Sequence, residues 1–304
     1  MSLHVTRVGP AVLVQDRGRR GRAALGVTGS GPADRGAAAL ANRCVGNATG
    51  AAVLEVLLGG LELRTDSPLV CALTGAPAPA VVTLPDGTRL RCDGAEVLAL
   101  PAGSALDLGT PSAGLRTYLA VRGGVDVPPV LGSRCRDTLS GLGPDPVRAG
   151  DVLAVGDALT GTAWSEGWCA GAGPGVPPAG AELVLDVLPG PRDDWFTPDT
   201  WERLAAGCVV GADSDRVGVR LDPARPLERA VTGELPSEGV VRGAVQVPAG
   251  GRPVVFGPDH PVTGGYPVLG VLTSASSDLL AQVVPGTRVR LRRVPAAAAG
   301  APRP

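Results

Sequence analysis

Ala80-Val81-Val82-Thr83-Leu84-Pro85-Asp86-Gly87-Thr88-Arg89-Leu90-Arg91-Cys92 is the stretch whose reading decides the fold class. Val82 and Leu84 alternate with polar or small neighbours, Asp86-Gly87 supplies a turn with positive φ, and Leu90 and Cys92 alternate with Arg89 and Arg91. Period-two alternation on both sides of Asp-Gly predicts a β-hairpin with one buried face. Outward from it, 61–64, 118–121, 182–188, 240–247, 253–256 and 288–293 show further alternating or β-rich runs separated by Gly/Pro turns. Many short strands at this spacing predict a mainly β protein of barrels or sandwiches. Composition agrees, because 45 Gly and 30 Pro among 304 residues leave little room for long helices. With 44% hydrophobic and 19% charged residues the chain nevertheless has the makings of a core.

Three short helices are expected. The first begins near Ser30-Gly31-Pro32, with Ser30 as a possible cap, and places Ala33, Ala37, Leu40, Ala41 and Cys44 on one face, with Asp34, Arg35, Asn42 and Arg43 on the other. The second runs from Thr197-Pro198 through Trp201 and Leu204 to Gly207. The third follows Ser276-Ser277 and ends before Pro285-Gly286. The Gly/Pro-rich run 171–178 reads as a linker between two β-rich halves, and the tail 296–304 has no core-forming pattern.

All 28 basic residues are Arg, which has chemical consequences. Without Lys the chain forms no Schiff base, has no Walker A lysine and carries no biotin of its own. A net charge of −1 gives no field for nucleic acid or an anionic membrane surface. The N-terminus shows no signal-peptide pattern and there is no long apolar run, so a cytoplasmic protein is expected. The six Cys are scattered without a C-x-x-C pair, which predicts buried thiols and no metal site.

Four segments have the residue types of a site. Gly26-Val27-Thr28-Gly29-Ser30-Gly31-Pro32 opens a helix, where free N–H groups suit an anion or a developing oxyanion; a plain capped turn fits equally. Asp16-Arg17-Gly18-Arg19-Arg20-Gly21-Arg22 crowds guanidinium groups beside a carboxylate, as a solvated loop or as a clamp for carboxylate or phosphate. Ser237-Glu238-Gly239 and Asp259-His260-Pro261-Val262-Thr263-Gly264-Gly265-Tyr266-Pro267 gather acids, an imidazole, a hydroxyl and a phenol in loops beside strands.

Taken in order, Val14-Gln15-Asp16-x-Gly18-Arg19, Gly26-Val27-x-x-Ser30-Gly31-x-x-Asp34, Ala41-Asn42-x-x-Val45-Gly46-Asn47, Leu54-Glu55, the run from Tyr118 to Ser133, Leu188-Pro189-Gly190-Pro191-x-Asp193-Asp194-Trp195-Phe196, Ser237-Glu238-Gly239-Val240 and Thr263-Gly264-Gly265-Tyr266-Pro267 resemble the allophanate hydrolase subunit 2 family, also called the KipA or PxpC family. The chain is similar as well to one half of the carboxyltransferase region of urea carboxylase. The resemblance implies two cyclophilin-like β-barrel subdomains, with 1–175 as an N-terminal carboxyltransferase-like part, 176–294 as a C-terminal barrel and 295–304 as a disordered tail. It implies a KipI/PxpB-like subunit 1 partner and a LamB/YcsF (PxpA)-like subunit, acting as an ATP-dependent 5-oxoprolinase that opens 5-oxo-L-proline to L-glutamate. Two other roles follow from the same likeness: carboxyl transfer using biotin from another chain, or antagonism of a KipI-like kinase inhibitor.

On this reading Tyr266, Thr263 and Asp16 are the expected catalytic residues. Arg19, Ser30, Asp34, Gly264, Gly265, Glu238 and His260 are expected at the substrate, with Arg19 clamping its carboxylate, and the segments are expected to share one polar pocket. The chain departs from the family at Arg17, often uncharged there, at Pro261-Val262-Thr263 in place of Gln-Thr-Thr, and at Val268, where many members carry Lys soon after Tyr-Pro.

Overall fold

A computed structural model describes residues 1–164, 167–168, 176–178 and 180–295. Most of the expected linker (171–175), Cys169 and the tail 296–304 lie outside the described residues. The chain divides into two compact units, the first of Met1–Arg19, Ser30–Asp137 and Gly141–Ala179, the second of Arg20–Gly29, Thr138–Ser140 and Gly180 onward.

The first unit holds two sheets. In the seven-stranded one the spatial order is Val125–Asp126, Val152–Val155, Ser2–Arg7, Glu62–Thr65, Ala105–Leu108, Pro79–Thr83, Arg89–Asp93. In the six-stranded one it is Gly167–Trp168, Glu96–Leu100, Leu69–Gly75, Arg116–Val121, Val53–Leu57, Ala11–Gln15. The expected hairpin is present, with Val82 opposite Leu90 and Ala80 opposite Cys92. Asp86 Oδ1 accepts the Thr88 N–H and Gly87 takes φ +87°, the turn chemistry that Asp-Gly favours. Alternation sorts each strand between two environments. Leu119 and Val121 join a core shared by both sheets, whereas Tyr118 and Ala120 face helix α1 (Arg35–Cys44) together with Val53 and Ala72. This strand is therefore buried along its whole length.

Ser30 is not the cap of α1. Asp34 is: its Oδ1 accepts the Ala37 N–H at 2.8 Å, and Gly31-Pro32 leads in as irregular chain. The wheel also misplaces Asn42, which is buried; it donates to the Ala51 carbonyl and accepts from Asn47 Nδ2. Asn47 in turn holds the Val121 carbonyl and the Gly123 N–H, so the Asn42/Asn47 motif ties the end of α1 to the central strand.

The second unit closes a seven-stranded barrel, in the order Leu183–Pro189, Val268–Leu272, Ala244–Gln246, Val254–Phe256, Gly218–Pro223, Cys208–Val210, Arg288–Arg293. Closure comes from the parallel pairing of Leu183–Pro189 with Arg288–Arg293, which removes the sheet edges. Leu185, Val187, Leu221, Val245, Val255, Leu269, Val289 and Leu291 fill the interior. Helix α2 (Thr200–Ala206) ends at Gly207 as expected, while α3 (Ser274–Leu280) starts earlier than Ser276-Ser277 because Thr273 caps it by accepting the Ser276 N–H. Outside the barrel, Glu238–Gly239 pairs with Thr263–Gly264 in a two-stranded ribbon.

Candidate functional site

In the first unit the Asp16 segment and the Ser30 turn come together: a Cβ on Gly31 would lie 3.1 Å from the Asp16 carbonyl oxygen. Asp16 itself is a loop clamp. Its Oδ1 accepts the Gly18 N–H at 2.8 Å and the Ser133 hydroxyl at 2.5 Å, and Oδ2 accepts the Arg134 N–H at 2.7 Å. Both Asp16 carboxylate oxygens are thus engaged in ordering the loop around Gly18, Ser133 and Arg134. Beside it lies a cavity of about 430 Å³ lined by Arg17, Arg134, Asp126, Asp157 and the Gly123-Gly124 turn.

Arg19, expected as the substrate clamp, is 2% exposed. Its Nε donates to the Val130 carbonyl at 3.0 Å, Nη1 to Cys135 Sγ at 3.0 Å, and Nη2 to the Cys135 carbonyl. A guanidinium aimed at these main-chain carbonyls and the Cys135 sulfur orders the loop that carries them. The Arg-rich spacing could not distinguish these roles, because both need the same fork of donors.

The turn before α1 is equally committed. Ser30 adopts φ +52° and its hydroxyl donates to the Arg136 carbonyl. Asp34 and Glu55 between them accept the Ala37 and Ala33 N–H groups, and the buried Tyr118 hydroxyl donates to Glu55 Oε2 at 2.9 Å while accepting the Asp34 N–H at 2.7 Å. Burial, then the neighbouring Glu55 and Asp34 carboxylates, hold the Tyr118 phenol well above its ordinary pKa. Two carboxylates at this helix start thus accept the Ala33 and Ala37 N–H groups, the capped arrangement that a helix N-terminus favours.

In the second unit the ribbon brings Glu238 opposite Gly264 and Gly239 opposite Thr263. Glu238 forms an ion pair with Arg192, whose guanidinium hydrogen-bonds the carboxylate and keeps its pKa below the usual range. Arg192 also lies over the Trp195 ring, 5.7 Å from its centroid. Past the ribbon, Tyr266 is 46% exposed, and its carbonyl accepts a hydrogen bond from buried Gln246 Nε2 at 3.0 Å. A Cβ on Gly264 would meet that same Nε2 at 2.4 Å, whereas one on Gly265 finds nothing closer than 3.7 Å. Gly264 thus lets the ribbon settle onto Gln246, and Gln246 fixes the backbone of Tyr266.

His260 is buried, with Nδ1 2.7 Å from the Pro261 carbonyl and its ring 6.1 Å from that of Phe256. Its neighbour Asp259 is fully buried and takes Arg216 Nε at 2.8 Å and Nη2 at 3.1 Å, together with the Thr138 N–H and hydroxyl. This bidentate pair anchors the start of the loop that ends at Tyr266. Arg192, Arg216, Thr138 and Gln246 were not singled out by sequence reasoning. Arg192 was the unassigned position within Pro191-x-Asp193, and the others act over long separations that spacing does not reveal.

The description carboxyltransferase domain, subdomain A and B, matches residues 25–293. This chain belongs to the carboxyltransferase family. It is 34% identical to the C-type subunit of the 5-oxoprolinase of Escherichia coli, over 92% of this chain and 87% of that one. It is also 31% identical to urea amidolyase of Saccharomyces cerevisiae, over 95% of this chain but 16% of that protein. Among solved structures, the carboxyltransferase fold of this chain matches the urea amidolyase of K. lactis with a TM-score of 0.84 at 26% identity, covering 95% of this chain and 18% of that one. The crystal structure of TTHA0988 matches with a TM-score of 0.80 at 35% identity, and the chain spans 55% of its length. No described helix is long and apolar enough to cross a membrane, and no group of three or more His, Cys, Asp or Glu among the described residues could hold a metal ion.

Proposed function

We propose that this carboxyltransferase-family chain is the C-type subunit of an ATP-dependent 5-oxoprolinase, acting with a KipI/PxpB-like subunit 1 and a LamB/YcsF (PxpA)-like subunit. The observation that carries this reading is the length-matched likeness to the C-type 5-oxoprolinase subunit of Escherichia coli, which extends over most of both chains. The lactam amide is resonance-stabilised, so phosphorylation of its oxygen would make the ring carbon open to water. The Ala33 and Ala37 N–H groups at α1 are already held by carboxylates and the chain has no Walker A lysine, so on this reading ATP is assigned to another chain of the complex. This chain's own contribution is the ribbon and the loop after it. The Tyr266 phenol and the Thr263 hydroxyl, both exposed, are donors for the oxygen on which charge develops, Gly265 lets substrate approach the backbone, Gly264 seats the ribbon on Gln246, and ionised Glu238 holds Arg192 in place.

The test is ADP and glutamate release by the reconstituted complex. Tyr266→Phe lowers kcat more than it raises KM if the hydroxyl acts on developing charge. Wild-type kinetics for this variant remove Tyr266 from the chemistry, and absence of glutamate release by the wild-type complex removes the 5-oxoprolinase reading. A second reading, transfer of a carboxyl group from biotin carried by another chain, is favoured by the similarity to urea amidolyase. Carboxylation of urea by a mixture containing a biotin carboxylase and its carrier would establish that role in place of the first.

A further inference from the structure

Arg229 differs from Arg192, Arg203, Arg216 and Arg293 of the same unit by what it lacks. Arg192 is neutralised by Glu238, Arg293 by Asp193, Arg203 by Asp199 and Glu228, and Arg216 by Asp259. Arg229 has no Asp or Glu within ion-pair distance among the described residues. Its guanidinium sits over the Tyr266 ring, 5.7 Å from the centroid, and a single donor, Nη2, is engaged, on the Val247 carbonyl at 2.7 Å. Nε is buried without a hydrogen-bond partner. A buried Nε without a partner carries a desolvation cost, and an aromatic face satisfies only the charge, perpendicular to the plane in which the N–H groups point. In that plane the fork matches a carboxylate, two parallel bonds at a time.

We propose that Arg229 is the anchor for the carboxylate of a small carboxylated lactam presented to the Thr263–Tyr266 loop. Naming the lactam acid rests on the 5-oxoprolinase reading; the preference for a small monocarboxylate rests on Arg229 itself. The placement is chemically economical. The same Tyr266 whose ring backs the guanidinium offers an exposed hydroxyl, and Gln246, next in sequence to the Val247 that Arg229 holds, fixes the Tyr266 carbonyl. A ligand gripped by its carboxylate at Arg229 would lie beside the donors assigned to its amide oxygen. Arg229 is thereby a specificity-determining residue, and it takes the clamp role that buried Arg19 does not perform.

The experiment compares 5-oxo-L-proline with 2-pyrrolidinone, the same ring without the carboxylate, by calorimetric titration of the full chain and of the assembled complex. Arg229→Gln keeps an N–H donor for the Val247 carbonyl while removing the charge, and Arg229→Lys keeps the charge without the fork; melting temperatures of both report folding. Wild-type protein is expected to bind the acid at least about tenfold more tightly than the neutral ring, as loss of a charge-assisted pair implies. Arg229→Gln should erase that preference, and Arg229→Lys should keep part of it; in the complex KM rises while kcat changes little. The proposal is overturned if the wild type does not distinguish the two rings, or if folded Arg229→Gln binds the acid as the wild type does. Binding of the acid through Arg229 by a complex that does not hydrolyse it would uphold the anchor and remove the 5-oxoprolinase reading. Hydrolysis with an unchanged KM in Arg229→Gln would do the reverse.

Discussion

Asp34 and Asp16 show at single-residue scale how a carboxylate is assigned its work by what it already accepts. Asp34 caps α1, and replacing it by Ala leaves the Ala37 N–H without its partner in a buried setting. The expected cost is about 0.5–2 kcal/mol of stability, read from urea midpoints, with Asp34→Asn losing less because it keeps an acceptor. The thiols give a pH prediction. Burial pushes Cys71 up to about 12 and Cys92 and Cys208 up to about 11, from an ordinary value of 9.0. Above pH 9 the unfolded chain releases protons that the native protein keeps, so it binds fewer, and stability falls as pH rises through the 9-to-12 window. Below that window these groups add no pH dependence. Buried Tyr118 adds the same sign at higher pH. Urea midpoints between pH 8 and 10.5 should therefore be flat and then decline, with a shallower decline after Cys71→Ala and Cys208→Ala; a flat profile throughout would refute the assignment. The five described thiols are all buried, and alkylation of native protein at pH 8 should be slow until the chain is unfolded.

At the scale of elements, the ribbon is the part whose tolerance to change is most informative. Gly264→Ala forces Gln246 Nε2 away from its place and loosens the Tyr266 carbonyl, whereas Gly265→Ala makes only ordinary van der Waals contact, nearest the Leu235 carbonyl oxygen at 3.7 Å. The expectation is a marked loss of turnover for Gly264→Ala in the reconstituted complex and a small one for Gly265→Ala. Equal losses would mean that the strand pairing, and not the Gln246 contact, sets the loop. The hairpin offers a contrast: a Cβ on Gly87 meets no neighbour, but its φ of +87° strains any L side chain, so Gly87→Ala should cost about 1 kcal/mol with no effect on function.

For the whole molecule, the seven-stranded barrel and the pair of sheets are each self-contained hydrophobic assemblies. The activity is not expected to be self-contained. The chain has no Lys, and Asp34 and Glu55 occupy the N–H groups at the start of α1. It should co-purify with a subunit 1 type partner and show no 5-oxoproline hydrolysis by itself. Full-rate, ATP-dependent hydrolysis by the isolated chain would contradict this.

Periodicity alone determined the mainly β character, the hairpin at Ala80 to Cys92 and the edge-to-edge extent of Arg288–Arg293, because alternation and Asp-Gly turn chemistry are local properties of the chain. The ordered motifs determined the family for the same reason. Residue roles were legible only in part, since a guanidinium that orders a loop and one that binds a substrate have the same spacing and the same donors. Tertiary structure decided that Arg19 turns inward to Val130 and Cys135, that Asp34 replaces Ser30 as the cap, and that Asn42 is buried on the face a helical wheel leaves to solvent. It also decided that Arg192 is neutralised by Glu238, whereas Arg229 lies over the Tyr266 ring without a carboxylate at ion-pair distance among the described residues. Glu238 reaches Arg192 across 46 residues and Asp259 reaches Arg216 across 43, and only chain reversal by the strands between them brings such charges within hydrogen-bond distance.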